Sequence, residues 1–215
     1  MDNPHAAQAV EEWGDPVPGA DRVAVVVHGR GQDPAWMREH VVSRLDVPGT
    51  AYVAPSAADG SWYPAGFMAP RAENEPMCTW GLACLHAVVE DLADKGWARN
   101  EVCLIGFSQG GCLVLEYVSR HGGDFGAVVA LTAGLIGPPG TTWAGPELSD
   151  VPVLLATSDV DEWVPLSRVQ ETRHVLAARG ADVTWRVYEG MGHEVNDDEI
   201  VLVEKLLSAV PRSAP

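Results

Sequence analysis

Positive charge is scarce in this sequence. Only Lys95 and Lys205 are lysines, and 14 basic side chains stand against 30 acidic ones, which gives a formal net charge of −16. Such a charge repels phosphate backbones and anionic lipid surfaces at long range, so nucleic acid and acidic membranes are poor partners. We interpret the shortage of lysine as a property of the genome, with a salt-adapted surface as the alternative.

Long hydrophobic runs are also missing. No apolar stretch has the ~18 residues that a membrane-spanning helix requires. Residues 1–5 are acidic, and no basic region followed by an apolar stretch indicates a secretory signal. We therefore expect a cytoplasmic protein without a membrane span.

The length of 215 residues fits one domain with a well-buried core. We expect residues 1–20 to form an N-terminal extension and residues 22–210 to form the core. The sequence leaves open whether the protein is a monomer or a homodimer.

Cysteines with the spacing of a metal site are absent as well. The four cysteines lack C-x-x-C spacing, and two of them lie in segments with a buried pattern; they are Cys78, Cys84, Cys103 and Cys112. This arrangement predicts reduced core thiols rather than a disulfide framework or a zinc site. We expect no metal and no cofactor.

Short apolar runs alternate with helical patterns along the chain. Runs without polar alternation are typical of strands that are covered on both faces of a parallel sheet. The predicted strands are 23–27, 50–54, 101–105, 127–131, 153–157 and 183–188. The predicted helices are 35–45, 77–95, one that ends near residue 120, 166–179 and 196–210, the last capped by Asn196 and Glu199. The pattern predicts an α/β fold with a mainly parallel, doubly wound sheet, helices on both faces, and functional loops at the strand carboxyl ends.

The segment Gly106-Phe107-Ser108-Gln109-Gly110 connects a predicted strand to a predicted helix. A serine hydroxyl becomes an accessible nucleophile when a sharp turn lifts it clear of a sheet, and small residues two positions before and after it let strand and helix approach closely. Gly106 and Gly110 occupy those positions. Ser108 is therefore the candidate nucleophile.

A serine nucleophile requires a base, and the base requires a carboxylate that fixes its tautomer. His193 follows the last predicted strand on the glycine-flanked turn 190–192, so it is the candidate base among seven histidines. Asp159, Asp161 and Glu162 follow the preceding strand. Position alone leaves the choice between Asp159 and Asp161 open.

The negative charge that develops on a carbonyl oxygen requires preorganised backbone donors. The residue after the nucleophile, Gln109, is one source, and the loop after the first predicted strand is the other, with the Arg30 amide as the candidate. A tight glycine turn is the alternative reading of this loop. The Arg30 side chain is expected to be solvated, paired with an acid or directed at an anionic substrate group, and His28 is expected to brace the loop.

Four motifs in this order resemble the phospholipase/carboxylesterase family of α/β-hydrolases, which includes acyl-protein thioesterases. They are His28-Gly-Arg-Gly31, Gly106-Phe-Ser-Gln-Gly-Gly111, Asp161-Glu-Trp-Val-Pro165 and Gly190-Met-Gly-His193. The resemblance implies an α/β-hydrolase fold, a catalytic triad of Ser108, Asp161 and His193, and an oxyanion hole formed by the amides of Arg30 and Gln109. It favours Asp161 over Asp159.

The sequence departs from the thioesterase branch of that family at one loop. The branch usually carries an apolar residue and then Gly-Asp after His-Gly, whereas Arg30 intervenes here and Gln32-Asp33 follow. The departure argues against a strict preference for long acyl chains.

The resemblance also implies which segment covers the acyl pocket. The stretch 56–76 is too rich in proline and glycine for regular structure, and its large side chains Trp62, Tyr63, Phe67 and Met68 belong to the part that covers the pocket. Of these, Trp62, Phe67 and Met68 are the candidate substrate-binding residues, with ordinary packing as the alternative. No segment is long enough for a large cap domain. We therefore expect an open site.

The expected function is that of a serine carboxylesterase that hydrolyses small to medium acyl esters. Thioesters would react by the same chemistry. The partner is then a small-molecule ester. The alternatives are a dienelactone-hydrolase-like enzyme, an acyl-transfer enzyme and a ligand-binding homologue without catalysis.

Overall fold

Seven strands form a single sheet in the structure, a computed structural model that describes residues 2–210 and 212. In chain order they are β1 (Val10–Gly14), β2 (Arg22–Val27), β3 (Thr50–Pro55), β4 (Val102–Phe107), β5 (Ala127–Leu131), β6 (Pro152–Ser158) and β7 (Asp182–Tyr188). Across the sheet they lie in the order β1-β3-β2-β4-β5-β6-β7. β1 pairs antiparallel with β3, and every other neighbouring pair is parallel. The prediction of a mainly parallel sheet is confirmed.

Helices cover both faces of this sheet. They are α1 (Pro34–His40), α2 (Arg71–Asn74), α3 (Met77–Asp94), α4 (Gln109–His121), α5 (Leu166–Ala178) and α6 (Asp197–Ala209). Val23, Val25 and Val27 of β2 lie in a buried cluster with α3, α4 and α5, whereas Ala24 and Val26 lie in a second cluster with α1 and α6. Both faces of β2 are thus apolar, which explains the unbroken apolar run in the sequence and confirms the doubly wound arrangement. Across residues 2–210, no large cap domain is inserted between the strands.

Three local features differ from the sequence-based expectations. Strand β1 lies within residues 1–20, where only an extension was expected, and its pairing runs from Val10 opposite Pro55 to Gly14 opposite Ala51. Helix α1 ends at His40, and a separate 3-10 turn follows at Val42–Arg44. The stretch 56–76 contains the short helix α2 within otherwise irregular backbone.

The cysteines lie in the core. All four are free and buried, and burial raises the pKa of both Cys103 and Cys112 to about 12. A thiol with such a pKa stays protonated and unreactive near neutral pH. These cysteines therefore act as small apolar core residues.

No helix in the described part of the chain has the length and apolar character needed to cross a membrane.

Helix α6 begins with the predicted capping box. The Asn196 side chain accepts a hydrogen bond from the Glu199 amide at 2.9 Å, and the Asn196 amide donates to Glu199 Oε2 at 2.8 Å. Burial raises the pKa of Glu199 to about 7, although the Asn196 bond acts in the opposite direction. The cap fixes the point at which the chain leaves the loop that carries His193.

Gly110 sets the distance between α4 and β2. A Cβ at this position would lie 2.2 Å from the Val27 carbonyl oxygen and 2.5 Å from the His28 carbonyl oxygen, so the helix would have to move. We expect Gly110→Ala to lower the free energy of unfolding by ~3 kcal/mol and the Tm by roughly 6–12 °C. Thermal unfolding followed by circular dichroism measures this shift.

The matched control is Gly19→Ala, because a Cβ at Gly19 would meet no atom within 4 Å. Its Tm should stay within about 2 °C of the wild-type value. An equal Tm for both variants would contradict the close approach of α4 and β2.

Candidate active site

Ser108 lies at the sharp turn between β4 and α4. Its φ is +54° and its ψ is −121°, a conformation that is strained for a residue with a side chain. Its amide donates to the Leu131 carbonyl oxygen of the neighbouring strand at 2.9 Å. A Cβ at Gly106 would lie 2.6 Å from the Gly111 Cα. The glycines therefore let strand and helix close around the serine, and the turn holds its side chain at the carboxyl edge of the sheet.

His193 lies beside Ser108, on the turn that follows β7. Its Nε2 lies 2.8 Å from Ser108 Oγ, within hydrogen-bond distance. The Phe107 ring packs against the imidazole, with the ring centroids 5.0 Å apart. Ser158 Oγ donates to the Met191 carbonyl oxygen. The end of β6 thus supports the loop that carries the histidine.

The two aspartates after β6 have different partners. Asp161 Oδ2 lies 2.7 Å from His193 Nδ1, whereas Asp159 Oδ1 accepts a hydrogen bond from the Gly190 amide at 2.8 Å. Asp161 is therefore in direct contact with the imidazole. Asp159 supports the turn that precedes it.

The Asp161 carboxylate is held by three donors. Its Oδ1 accepts hydrogen bonds from the Trp163 and Val164 amides at 2.8 Å and 2.9 Å, and its side chain is 0% exposed. Burial alone would raise the pKa of Asp161, but the hydrogen bonds from His193 and from the two amides lower it below its ordinary value. The carboxylate is therefore ionised at neutral pH and fixes the orientation of the His193 ring.

Two backbone amides near Ser108 are candidates for an oxyanion hole. Within residues 2–210, the N–H groups of Arg30 and Gln109 have no hydrogen-bond acceptor. Both residues line the same cavity as Ser108. They are therefore available to a ligand oxygen in that cavity.

Arg30 is exposed, and its guanidinium also donates to three backbone carbonyl oxygens. Its Nη2 donates to the Tyr63 carbonyl oxygen at 2.9 Å and also to that of Ala65, and its Nη1 donates to the Pro64 carbonyl oxygen at 2.5 Å. An exposed side chain was among the expectations, whereas no pairing of Arg30 with an acid is found within residues 2–210.

His28 braces the loop that carries Arg30. Its Nε2 accepts from the Ala57 amide at 3.0 Å, so its Nδ1 carries the proton and donates to the Gly29 carbonyl oxygen at 2.8 Å. Burial lowers the pKa of His28. The ring is thus neutral, and both of its nitrogens are engaged in structural bonds.

A cavity of about 510 Å³ opens beside these groups. This volume falls within the range of small-molecule sites. Its lining is mostly apolar and consists of Arg30, Gln32, Tyr63, Gly66, Phe67, Ser108, Gln109, Cys112, Trp163, Val164 and His193.

Of the three predicted substrate-binding residues, only Phe67 lines this cavity. Trp62 is fully buried and donates from its indole to the His28 carbonyl oxygen at 2.9 Å, so it is a packing residue. Met68 is likewise outside the lining. For Trp62 the structure thus favours ordinary packing, which was the alternative, and a role of Met68 in substrate binding stays a prediction.

The sequence placed Tyr63 in the loop over the acyl pocket without selecting it as a binding residue. It gave no prediction for the lining residues Gln32, Gly66, Cys112, Trp163 and Val164. Trp163 is 67% exposed, and its position two residues after Asp161 was the available signal. Cys112 had a weaker one, because it follows Ser108 by one helical turn. Nothing in the pattern distinguished Tyr63 from its neighbour Trp62.

The chain is similar to known proteins over most of its length. The profile of a family described as phospholipase/carboxylesterase matches residues 9–210. A crystal structure of a phospholipase/carboxylesterase from Dyadobacter fermentans superposes with a TM-score of 0.86 at 35% identity, over 94% of this chain and 97% of that one.

Curated relatives are more distant. Acyl-protein thioesterase 1 of Gibberella zeae is 28% identical over 127 residues, which are 57% of this chain and 53% of that protein. Esterase YpfH of Escherichia coli is 25% identical over 187 residues, which are 83% of this chain and 78% of that protein. The chain thus spans little more than half the length of the thioesterase that it matches.

The different partners of Asp161 and Asp159 generate a test. In Asp161→Asn, the amides of Trp163 and Val164 would hold the new carbonyl oxygen, so its NH2 group would face His193 Nδ1. That nitrogen would then accept a hydrogen bond, and Nε2 would carry the proton and could not take one from Ser108. We expect kcat for p-nitrophenyl acetate to fall by about 10⁴-fold, as in serine proteases with this change.

Asp159→Asn is the matched control. Its new carbonyl oxygen can still accept from the Gly190 amide, so most of the activity should remain. A larger loss in Asp159→Asn than in Asp161→Asn, measured by initial rates at saturating ester, would assign the acid to Asp159.

Proposed function

Because the chain belongs to the phospholipase/carboxylesterase family of α/β-hydrolases, we propose that it is a serine carboxylesterase that acts on small to medium acyl esters. The observation that carries the proposal is the pair of hydrogen bonds, 2.7 Å and 2.8 Å, that joins Asp161 to His193 and His193 to Ser108. A nucleophile, a base and an orienting acid in contact are what acyl transfer through a covalent intermediate requires.

The first half of the proposed reaction forms an acyl-enzyme. Ser108 Oγ attacks the ester carbonyl carbon while its proton passes to His193 Nε2, and the Arg30 and Gln109 amides bind the resulting oxyanion. When the tetrahedral intermediate collapses, the bond to the alcohol breaks. The departing alcohol takes the proton from His193, and the acyl group remains on Ser108.

The second half releases the acid. Water attacks the acyl carbon while His193 takes one of its protons, and collapse of the second intermediate returns that proton to Ser108 Oγ. A thioester follows the same route with a thiol as the leaving group. The relatives named acyl-protein thioesterase make thioesters a reasonable part of the substrate series.

The substrate range follows from the cavity. Its volume of about 510 Å³ and its lining by Tyr63, Phe67, Trp163 and Val164 favour an apolar acyl or alcohol group of limited size. We propose that one α/β-hydrolase domain carries the whole site, because the proposed groups all belong to loops at the carboxyl edge of one sheet.

Covalent labelling tests the serine mechanism. A fluorophosphonate probe should label Ser108, as located by peptide mass spectrometry. Ser108→Ala should lose the label, and its kcat for p-nitrophenyl acetate should fall by about 10⁴-fold or more.

Ser208→Ala changes an exposed serine on α6 and should keep both the label and the turnover. Wild-type turnover in folded Ser108→Ala would remove the proposed function.

A series of acyl chain lengths tests the substrate range. We expect kcat/KM to be highest for the acetyl to hexanoyl esters of p-nitrophenol and about tenfold lower for the palmitoyl ester, because the acyl chain and the p-nitrophenyl group would have to share one cavity of about 510 Å³. The same acyl groups, supplied as coenzyme A thioesters, allow a thiol leaving group to be compared with p-nitrophenol. A steady rise through palmitoyl would contradict the size limit and favour a long-chain thioesterase.

A further inference from the structure

The Arg30 side chain forms hydrogen bonds with a neighbouring loop. We define residues 61–66 as the bridging loop. Three successive carbonyl oxygens of this loop, from Tyr63, Pro64 and Ala65, accept hydrogen bonds from the Arg30 guanidinium. A planar fork of donors suits such a set of acceptors, and a lysine ammonium does not reproduce it.

The Gln109 side chain binds the same loop. Its Oε1 accepts from the Trp62 amide at 2.9 Å, and its Nε2 donates to the Tyr63 carbonyl oxygen at 2.8 Å. The Tyr63 carbonyl oxygen is therefore bound by both Arg30 and Gln109. These bonds link the two residues whose amides are the proposed oxyanion donors.

The bridging loop is itself fixed at its far end. Asn74, which is buried, accepts from the Ala65 amide at 2.8 Å and donates to the Gly66 carbonyl oxygen at 3.0 Å. The loop is thus held from three sides. It can serve as a rigid support for the side chains that bind it.

Arg30 stands between two glycines, and Gly31 has a φ of +71°, so the local backbone has wide conformational freedom. The Gly29 amide donates to Gln32 Oε1 at 2.9 Å, and the Gly31 amide donates to the Gly60 carbonyl oxygen at 2.8 Å. The peptide that carries the Arg30 amide lies between these two bonds, and the Arg30 side chain is a third anchor of the same turn.

We propose that Arg30 is a positioning residue for catalysis: its side chain, anchored on the bridging loop together with that of Gln109, fixes the direction of the oxyanion-binding amide of Arg30. The inference rests on the proposed function, because it assigns the amide a role in that reaction. A preorganised donor acts in the transition state, so losing its orientation lowers kcat more than it raises KM.

The test compares Arg30→Met and Arg30→Lys with the control Arg38→Met, which changes an exposed arginine on α1. The substrates are p-nitrophenyl butyrate, which is neutral, and mono-p-nitrophenyl glutarate, which is anionic. A short-chain trifluoromethyl ketone serves as the transition-state analogue. The kcat is expressed per fluorophosphonate-reactive site, so that a smaller amount of folded protein does not lower the measured kcat.

For Arg30→Met we expect kcat to fall by about 10- to 100-fold with both esters, and KM to change by less than about threefold. The Ki of the ketone should rise by the same factor as kcat falls. Arg30→Lys should show a smaller fall in kcat and a smaller rise in Ki, and Arg38→Met should match the wild type.

Two results would overturn the inference. If kcat falls only with the glutarate ester, Arg30 binds the negative charge of the substrate instead of positioning the amide. If kcat and Ki are both unchanged, Arg30 has no effect on catalysis. If Arg30→Met does not melt cooperatively, the folded Arg30→Lys carries the test on the same criteria. Ester turnover that does not depend on Ser108 would remove the proposed function itself, whereas Ser108-dependent turnover with an indifferent Arg30 removes only the positioning role.

Discussion

The close approach of α4 to strands β2 and β4 is the constraint on which the candidate site depends. Glycine at 106, 110 and 111 leaves no Cβ between the helix and the strands, and a Cβ at any of the three would lie within 2.6 Å of another atom. Ser108 then adopts a strained backbone that costs about 1–3 kcal/mol. Burial of α4 side chains such as Leu113 and Val114, each worth roughly 1.5–3 kcal/mol, offsets that strain.

The sheet order brings the remaining groups to the same edge. Ser108 follows β4, Asp161 follows β6 and His193 follows β7, and these strands lie side by side with only β5 between the first two. Because the strands are parallel, their carboxyl ends meet there. The acidic turn after β6 serves the site twice, since Asp159 holds the turn before His193 while Asp161 binds the imidazole itself.

Sequence patterns were informative where burial or chain order leaves a periodic signal. The central strands were predicted because both of their faces are covered, whereas β1 was missed because it is an edge strand whose Val10 is 46% exposed. Ser108 and His193 follow strands and were readable, but Asp159 and Asp161 share one turn, so position alone did not separate them. The family resemblance favoured Asp161, which is the aspartate in contact with His193. Irregular backbone has no periodicity, so the opposite roles of Trp62 and Tyr63 could not be predicted.

The departure at Arg30 connects two parts of the site that would otherwise be independent. The bridging loop supplies Tyr63 and Gly66 to the cavity lining, and the same loop anchors the side chains of Arg30 and Gln109. An apolar residue in place of Arg30 would offer no donor to the loop carbonyls, so the loop and the turn that carries the residue-30 amide could then move separately. With arginine there, a change in the loop that alters the space for the acyl group is expected to shift also the Arg30 and Gln109 amides, which we propose as oxyanion donors. Substrate range and turnover are thus expected to change together in this chain.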